Sequence, residues 1–146
     1  MDEISLRPFK RADWAWLQVW FQDEITNQEL GPLDEEWLEH VLSDRRGVQL
    51  VAETQGQPVA IIGVTWGIEN DPPHAITDLA VHPDKRRRGF GLQSVQAVIG
   101  WPGHPMTNKW IAFVEPRNKP AQEMLTALGW REFENDGKML SYELSL

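Results

Sequence analysis

Residues 78–91 read DLAVHPDKRRRGFG, and their order decides how the chain folds around them. A strand expected from Ala75 to Val81 is stopped by Pro83, four consecutive cations follow from Lys85 to Arg88, and two glycines, Gly89 and Gly91, come next. Beyond them Leu92, Val95, Val98 and Ile99 recur at helical spacing until Gly100. Strand, basic glycine turn and helix make an anion cradle. The first turn of a helix leaves backbone N–H groups unpaired and carries about half a positive charge. Glycines let the backbone approach a ligand, and arginines add bidentate hydrogen bonds to phosphate. A Walker A loop is absent. A dinucleotide fingerprint fails as well, since Ser94 stands where a third small Gly or Ala belongs and Lys109 where an acid belongs.

The rest of the chain makes this cationic run unusual. Its net charge is −8 over 146 residues, with a sequence pI near 4.9. Such a balance argues against broad binding to a nucleic-acid backbone, so the ligand of the run is expected to be small and local. The length suits one domain, residues 1–146, with one core. Cysteine is absent, which removes disulfides, thiolate metal sites and a cysteine nucleophile, and fits a reducing compartment; the cytoplasm is the expected location. No signal-like or membrane-spanning stretch is read, the longest apolar run being Val59 to Val64. Eight tryptophans against one tyrosine are a marked excess.

Patterning around the cradle gives an α/β chain in the order β-α-α-β-β-β-α-β-α-β-β. Ile4 to Arg7 reads as a strand, Asp13 as the N-cap of a helix to about Gln22, and Asp34 to Leu42 as a second helix after a break at Gly31-Pro32. Val48 to Glu53 and Val59 to Trp66 form a hairpin about Thr54 to Pro58, and the loop Asn70 to Pro73 leads into the strand at Ala75. After the cradle helix come a strand from Trp110 to Val114 and a helix capped by Asn118 and closed by Gly129. Strands Trp130 to Glu134 and Met139 to Leu144 follow about Asn135-Asp136-Gly137.

Residues 78–91 resemble the acyl-CoA motif of the GNAT superfamily of N-acyltransferases, Arg/Gln-x-x-Gly-x-Gly/Ala after a strand ending hydrophobic-x-Val-x-Pro. Asn118-Lys119-Pro120-Ala121 with Leu128-Gly129-Trp130 resembles the later Asn-x-x-Ala segment and its helix ending Leu-Gly-aromatic. The resemblance implies a single-domain GNAT-like fold with a mixed, mostly antiparallel sheet flanked by helices, and acetyl-CoA as acyl donor. Leu79, Ala80 and Val81 would meet the pantetheine arm, the backbone of Leu79 and Val81 bonding it like an added strand. Arg86 to Gly91, including Gly89 and Phe90, would wrap the pyrophosphate through main-chain N–H groups, with Arg87 or Arg88 reaching the phosphates. Asn118 would contact the pantetheine or orient the opposite wall, and the strands at Ala75 and Trp110 would splay to admit the thioester.

The expected reaction is acetyl transfer to the primary amine of a small, cationic molecule by direct attack in a ternary complex, since no cysteine offers an acyl-enzyme. An amine of pKa near ~10.4 is protonated at neutral pH, so a carboxylate or an ordered water must take its proton. Asp78 is the first candidate for the base, with Thr77 as a water relay the weaker one. The family's usual proton donor to sulfur, a Tyr seven residues after the motif's Asn, is here Leu125, and the one tyrosine, Tyr142, reads as a packing residue. Trp16 and Trp20 with Asp23, Glu24 and Glu29 read either as an aromatic, acidic acceptor wall or as core and solvated face. Histidines 40, 74, 82 and 104 show no metal spacing, so no metal is expected. A homodimer is compatible with the sequence; nucleic-acid and membrane partners are not expected. The alternatives are a protein N-terminal or lysine acetyltransferase and a non-catalytic acyl-CoA-binding module.

Overall fold

A computed structural model describes residues 3–24, 34–67 and 73–146. The expected break at Gly31-Pro32, most of the Asn70 to Pro73 loop and Glu29 lie outside the described residues. The described elements are β1 Ser5–Pro8, α1 Trp14–Trp20, α2 Glu35–Ser43, β2 Gly47–Thr54, β3 Gln57–Thr65, β4 His74–Val81, α3 Phe90–Ile99, β5 Lys109–Val114, α4 Lys119–Ala127, β6 Arg131–Asn135 and β7 Leu140–Ser145. Short 3-10 turns precede α1 at Arg11–Asp13 and follow β4 at Pro83–Lys85. Among the described residues the expected order of elements is the observed one.

The seven strands follow the order β1-β2-β3-β4-β5-β7-β6. β1 with β2, β5 with β7 and β6 with β7 are antiparallel, and β4 with β5 is parallel, so the sheet is mixed and mostly antiparallel, with helices flanking it. The β2–β3 turn is tighter than the sequence suggests. Both strands extend into the polar stretch until only Gln55 and Gly56 connect them, at φ of 53° and 75°. Two successive positive φ angles give the primed turn that matches strand twist, and this favours the short loop over five residues.

The chain groups into two compact units, Met1–Val64 with Asp78–Trp101, and Thr65–Thr77 with Pro102–Leu146. In the first unit β2, β3 and β4 present alternate residues to two apolar clusters. Val51, Ile61 and Ala80 pack with Phe9, Leu17, Trp20 and Leu38, which draws α1 and α2 onto that cluster. Ala52, Val59 and Ala60 pack with Ile4, Leu6, Leu79, Val81 and Phe90. Strands clothed on both faces read as continuous apolar runs, as Val59 to Val64 does. The first cluster also absorbs half of the tryptophan excess: Trp14 stacks on Trp37 at 6.1 Å, and Trp16 lies 4.7 Å from Trp20.

Asp13 is the N-cap residue of α1, as expected, but it sits at helical φ and ψ and its side chain does not cap the helix. Its buried carboxylate accepts instead from Arg7 Nη1 and Nη2 at 2.8 and 2.7 Å, from the Lys10 N–H at 2.8 Å and from Trp16 Nε1 at 2.9 Å. A bidentate, charge-assisted pair outcompetes a neutral cap. Asp34 does cap α2, accepting from the Trp37 N–H at 2.9 Å.

In the second unit the parallel register takes in His74 to Ile76 of β4 and Trp110 to Ala112 of β5. His74 is buried and its ring is fixed at both nitrogens: Nδ1 accepts from the Gly67 N–H and Nε2 donates to the Pro105 carbonyl, each at 2.8 Å. Trp66, His104 and Trp110 surround that ring at 5.1 to 5.7 Å. Tyr142 is buried in β7 opposite Ala112, as a packing residue should be, and burial together with the Glu132 charge pushes its hydroxyl above the ordinary value.

Candidate active site

The cradle is built stepwise from the end of β4. The His82 N–H donates to the Val59 carbonyl at 2.8 Å, which keeps the chain on β3 for one more residue. Pro83 then opens a 3-10 turn, with His82 Nδ1 accepting from the Asp84 N–H at 3.1 Å. Burial lowers the His82 imidazole below its ordinary value, and Lys85 lowers it further. A neutral ring keeps Nδ1 available as that acceptor. Its face packs 4.9 Å from Trp20.

After this turn Arg86 is extended, and Arg87 turns left-handed at φ 65°. A non-glycine residue in that region is uncommon and marks a segment held by its surroundings. Gly89 follows at φ 83° as the N-cap of α3. A Cβ there would meet only Gln93 Nε2, at 3.8 Å, so conformation and not space calls for glycine. Gly89 brings no side chain to the cap and makes no side-chain cap hydrogen bond, while the Gln93 N–H closes the first helical bond onto the Gly89 carbonyl at 3.0 Å. Ser94 is buried and returns its hydroxyl to the Phe90 carbonyl at 2.7 Å.

The three arginines divide their work. Arg86 Nη2 donates to Asp23 Oδ2 at 2.6 Å, so its side chain is engaged within the protein. Arg87 and Arg88 are exposed beside Gly89. First-turn amides plus two exposed guanidinium groups form the donor set that a pyrophosphate requires, and the residues present fit acetyl-CoA's polyanionic end.

Asp78 lies on β4 two residues before Ala80, so both share one face of the strand, and Leu79 and Val81 occupy the other with Phe90. Its Oδ1 accepts from Gln49 Nε2 on β2 at 2.9 Å. Asp78, Leu79, Ala80, Val81 and Arg86 to Gly91 thus all belong to the first unit. Asn118 belongs to the second, where its Oδ1 caps α4 by accepting from the Ala121 N–H at 3.2 Å. Leu125 on α4 is buried, 3% exposed. Gln49, Gly63 and His82 are the residues around the cradle that the sequence did not announce.

The acceptor wall read from the sequence changes. Trp20 is buried in the first core, and Trp16 packs against Phe9 and Trp20, as their core reading has it. Asp23 faces Arg86, and of the three acids only Glu24 stands exposed among the described residues. No group of three or more metal-ligating side chains occurs among the described residues. Nor is any described helix long and apolar enough to cross a membrane.

A mixed, mostly antiparallel sheet with a strand-turn-helix cradle is the architecture of the acyl-CoA-dependent acetyltransferase family that this chain matches. The chain belongs to the Acetyltransferase (GNAT) family, whose profile matches residues 11–130. Uncharacterized N-acetyltransferase YfmK of Bacillus subtilis (strain 168) is 25% identical over 116 residues, 78% of this chain and 76% of that protein. An acetyltransferase from Thermus thermophilus shares the fold at a TM-score of 0.82 and 20% identity, over 99% of this chain and 97% of its own. The aminoglycoside acetyltransferase AAC(6')-Ib, solved with coenzyme A, does so at 0.80 and 17% identity, over 98% and 95%.

Proposed function

We propose that the chain is one N-acetyltransferase domain that moves the acetyl group of acetyl-CoA to the primary amine of a small, cationic molecule by direct attack in a ternary complex. The observation that carries this reading is the cradle at Gly89: uncapped first-turn amides, exposed Arg87 and Arg88, and Asp78 on the strand that feeds them. Arg87, Arg88 and the N–H groups from Arg86 to Gly91 would hold the pyrophosphate. Leu79, Ala80 and Val81 would meet the pantetheine arm along β4.

Acetyl-CoA brings an acyl thioester whose sulfur leaves as a thiolate, a group with a free pKa near ~8.5 that departs without a dedicated acid. Asp78 accepts the proton that the attacking amine must lose, and the C–N bond forms as the C–S bond breaks. The chain has no cysteine to carry the acetyl group in between. A net charge of −8 favours cationic acceptors, and AAC(6')-Ib, named for aminoglycosides, shows that this fold serves such amines in another protein. Leu125, where the resemblance to the family implies a tyrosine, supports a second reading, an acyl-CoA-binding module without turnover.

CoA-thiol release from acetyl-CoA with spermidine, kanamycin, glucosamine and a neutral peptide tests both. Faster release with the cationic amines is expected. Equal rates with the peptide would overturn the acceptor class, and calorimetric binding of acetyl-CoA with no release from any amine would leave the binding module.

A further inference from the structure

Gln49 is the polar interruption in the run Val48 to Ala52 on β2, and it is 6% exposed. A buried amide must find partners, and this one donates Nε2 to Asp78 Oδ1 at 2.9 Å. The contact crosses a strand. β3 lies between β2 and β4, so two inter-strand spacings, about 10 Å in all, separate the two backbones. Side chains from β2 and β4 meet above β3 only where β3 offers no side chain of its own.

Gly63 of β3 provides that gap. A Cβ built on it would overlap Asp78 Oδ2 and lie 2.9 Å from both Asp78 Cγ and Gln49 Oε1. Gly63 is not left-handed, so space and not backbone conformation demands glycine here. The choice of partner matters chemically. An arginine opposite Asp78 would form an ion pair and lower the proton affinity of the carboxylate, which would make it a weaker base. Gln49, a neutral amide, orients one oxygen of that carboxylate without adding a charge beside it.

We infer that Gln49 and Gly63 are positioning residues for Asp78: Gln49 fixes the carboxylate through Oδ1, and Gly63 gives it room above β3. The inference rests on Asp78 being the proton acceptor of the proposed reaction. A base misplaced by about 1 Å loses on the order of a hundredfold in rate.

The test is a pair of double-mutant cycles. With the fastest amine among spermidine, kanamycin and glucosamine, Asp78→Asn is expected to lower kcat at least a hundredfold, and Gln49→Leu about tenfold with the KM for acetyl-CoA unchanged. In the Asp78→Asn background, Gln49→Leu should cost nothing more. The stability cycle needs no turnover: Gly63→Ala should lower the thermal midpoint of the parent clearly, and that of Asp78→Ala far less, because the overlap with the carboxylate is then gone and only the contact with the end of the Gln49 side chain remains. Calorimetric binding of acetyl-CoA checks that each variant is folded. An equal Gly63→Ala effect in both backgrounds, or a Gln49→Leu loss that is the same with and without Asp78, overturns the positioning role alone. An unchanged kcat in Asp78→Asn overturns the base and the positioning role with it.

Discussion

Arg86 and Asp23 meet at 2.6 Å across 63 residues of sequence, and each is only about a quarter to a third exposed. This ion pair removes one guanidinium from the cradle and ties the turn after β4 to the segment that follows α1. The cationic run therefore holds two kinds of arginine, one internal and two facing out. It also removes Asp23 from the acids that an acceptor would meet.

That division is measurable. Charge reversal of Arg87 and Arg88 together is expected to weaken CoA binding by about 1.5–3 kcal/mol for each charged hydrogen bond lost, with little change in thermal midpoint. Arg86→Ala is expected to do the opposite, lowering the midpoint while leaving most of the affinity, which depends on the main chain there. Calorimetry with CoA and thermal melts on the same samples separate the two. Unchanged affinity in the Arg87/Arg88 variant would show that amides alone hold the phosphates.

The Arg7–Asp13 pair sets how stability responds to acid. Burial by itself would raise the Asp13 carboxyl, but hydrogen bonds from Arg7, the Lys10 N–H and Trp16 outweigh it and hold the group below its ordinary value. Hydrogen bonding to Asp13 likewise raises the Arg7 guanidinium. A carboxyl depressed in the folded state adds stability above its unfolded value of about 3.9, and that stability is lost as pH falls through the lower folded value. Asp13→Asn is expected to cost about 2 kcal/mol at pH 7 and to flatten the loss of stability below pH 4. Denaturant melts from pH 7 to pH 3 check this; parallel curves for parent and variant would show that the pair is not the acid-sensitive element.

The cradle was legible because its signals are local. Pro83 ends a strand, Gly89 supplies a left-handed cap, and α3 repeats its apolar residues at helical spacing. Asp13 stands at the N-cap position, as an acid before a helix suggests, but its side chain goes to Arg7, which lies beyond the local window and binds more strongly than the helix N–H groups. Gln49 carried no signal at all: its role needs Asp78, 29 residues on, and a missing side chain on the strand between. The histidines were unread for a similar reason. A search for metal spacing sees four scattered residues, while folding packs the His74 and His104 rings 5.7 Å apart and uses His74 to join Gly67 to Pro105.

Leu125, at the position where the resemblance to the family implies a tyrosine as the usual proton donor, is a core residue. It is 3% exposed, and its carbonyl accepts from the Trp130 N–H at 2.9 Å beyond the end of α4 at Ala127, where Gly129 turns left-handed at φ 90°. Putting a phenol there adds volume and a hydroxyl to a filled site. Overpacking of this kind costs typically about 1–3 kcal/mol, so Leu125→Tyr is expected to lower the thermal midpoint by several degrees. Leu125→Ala should cost about 2–5 kcal/mol through the cavity it leaves. Turnover completes the measurement, because a proton donor gained at this position would raise kcat by up to about 10²-fold or more. A Leu125→Tyr protein that keeps its midpoint and gains rate would show that the second unit still has room for the missing acid; one that loses stability without gaining rate would show that the fold has closed the position with hydrocarbon.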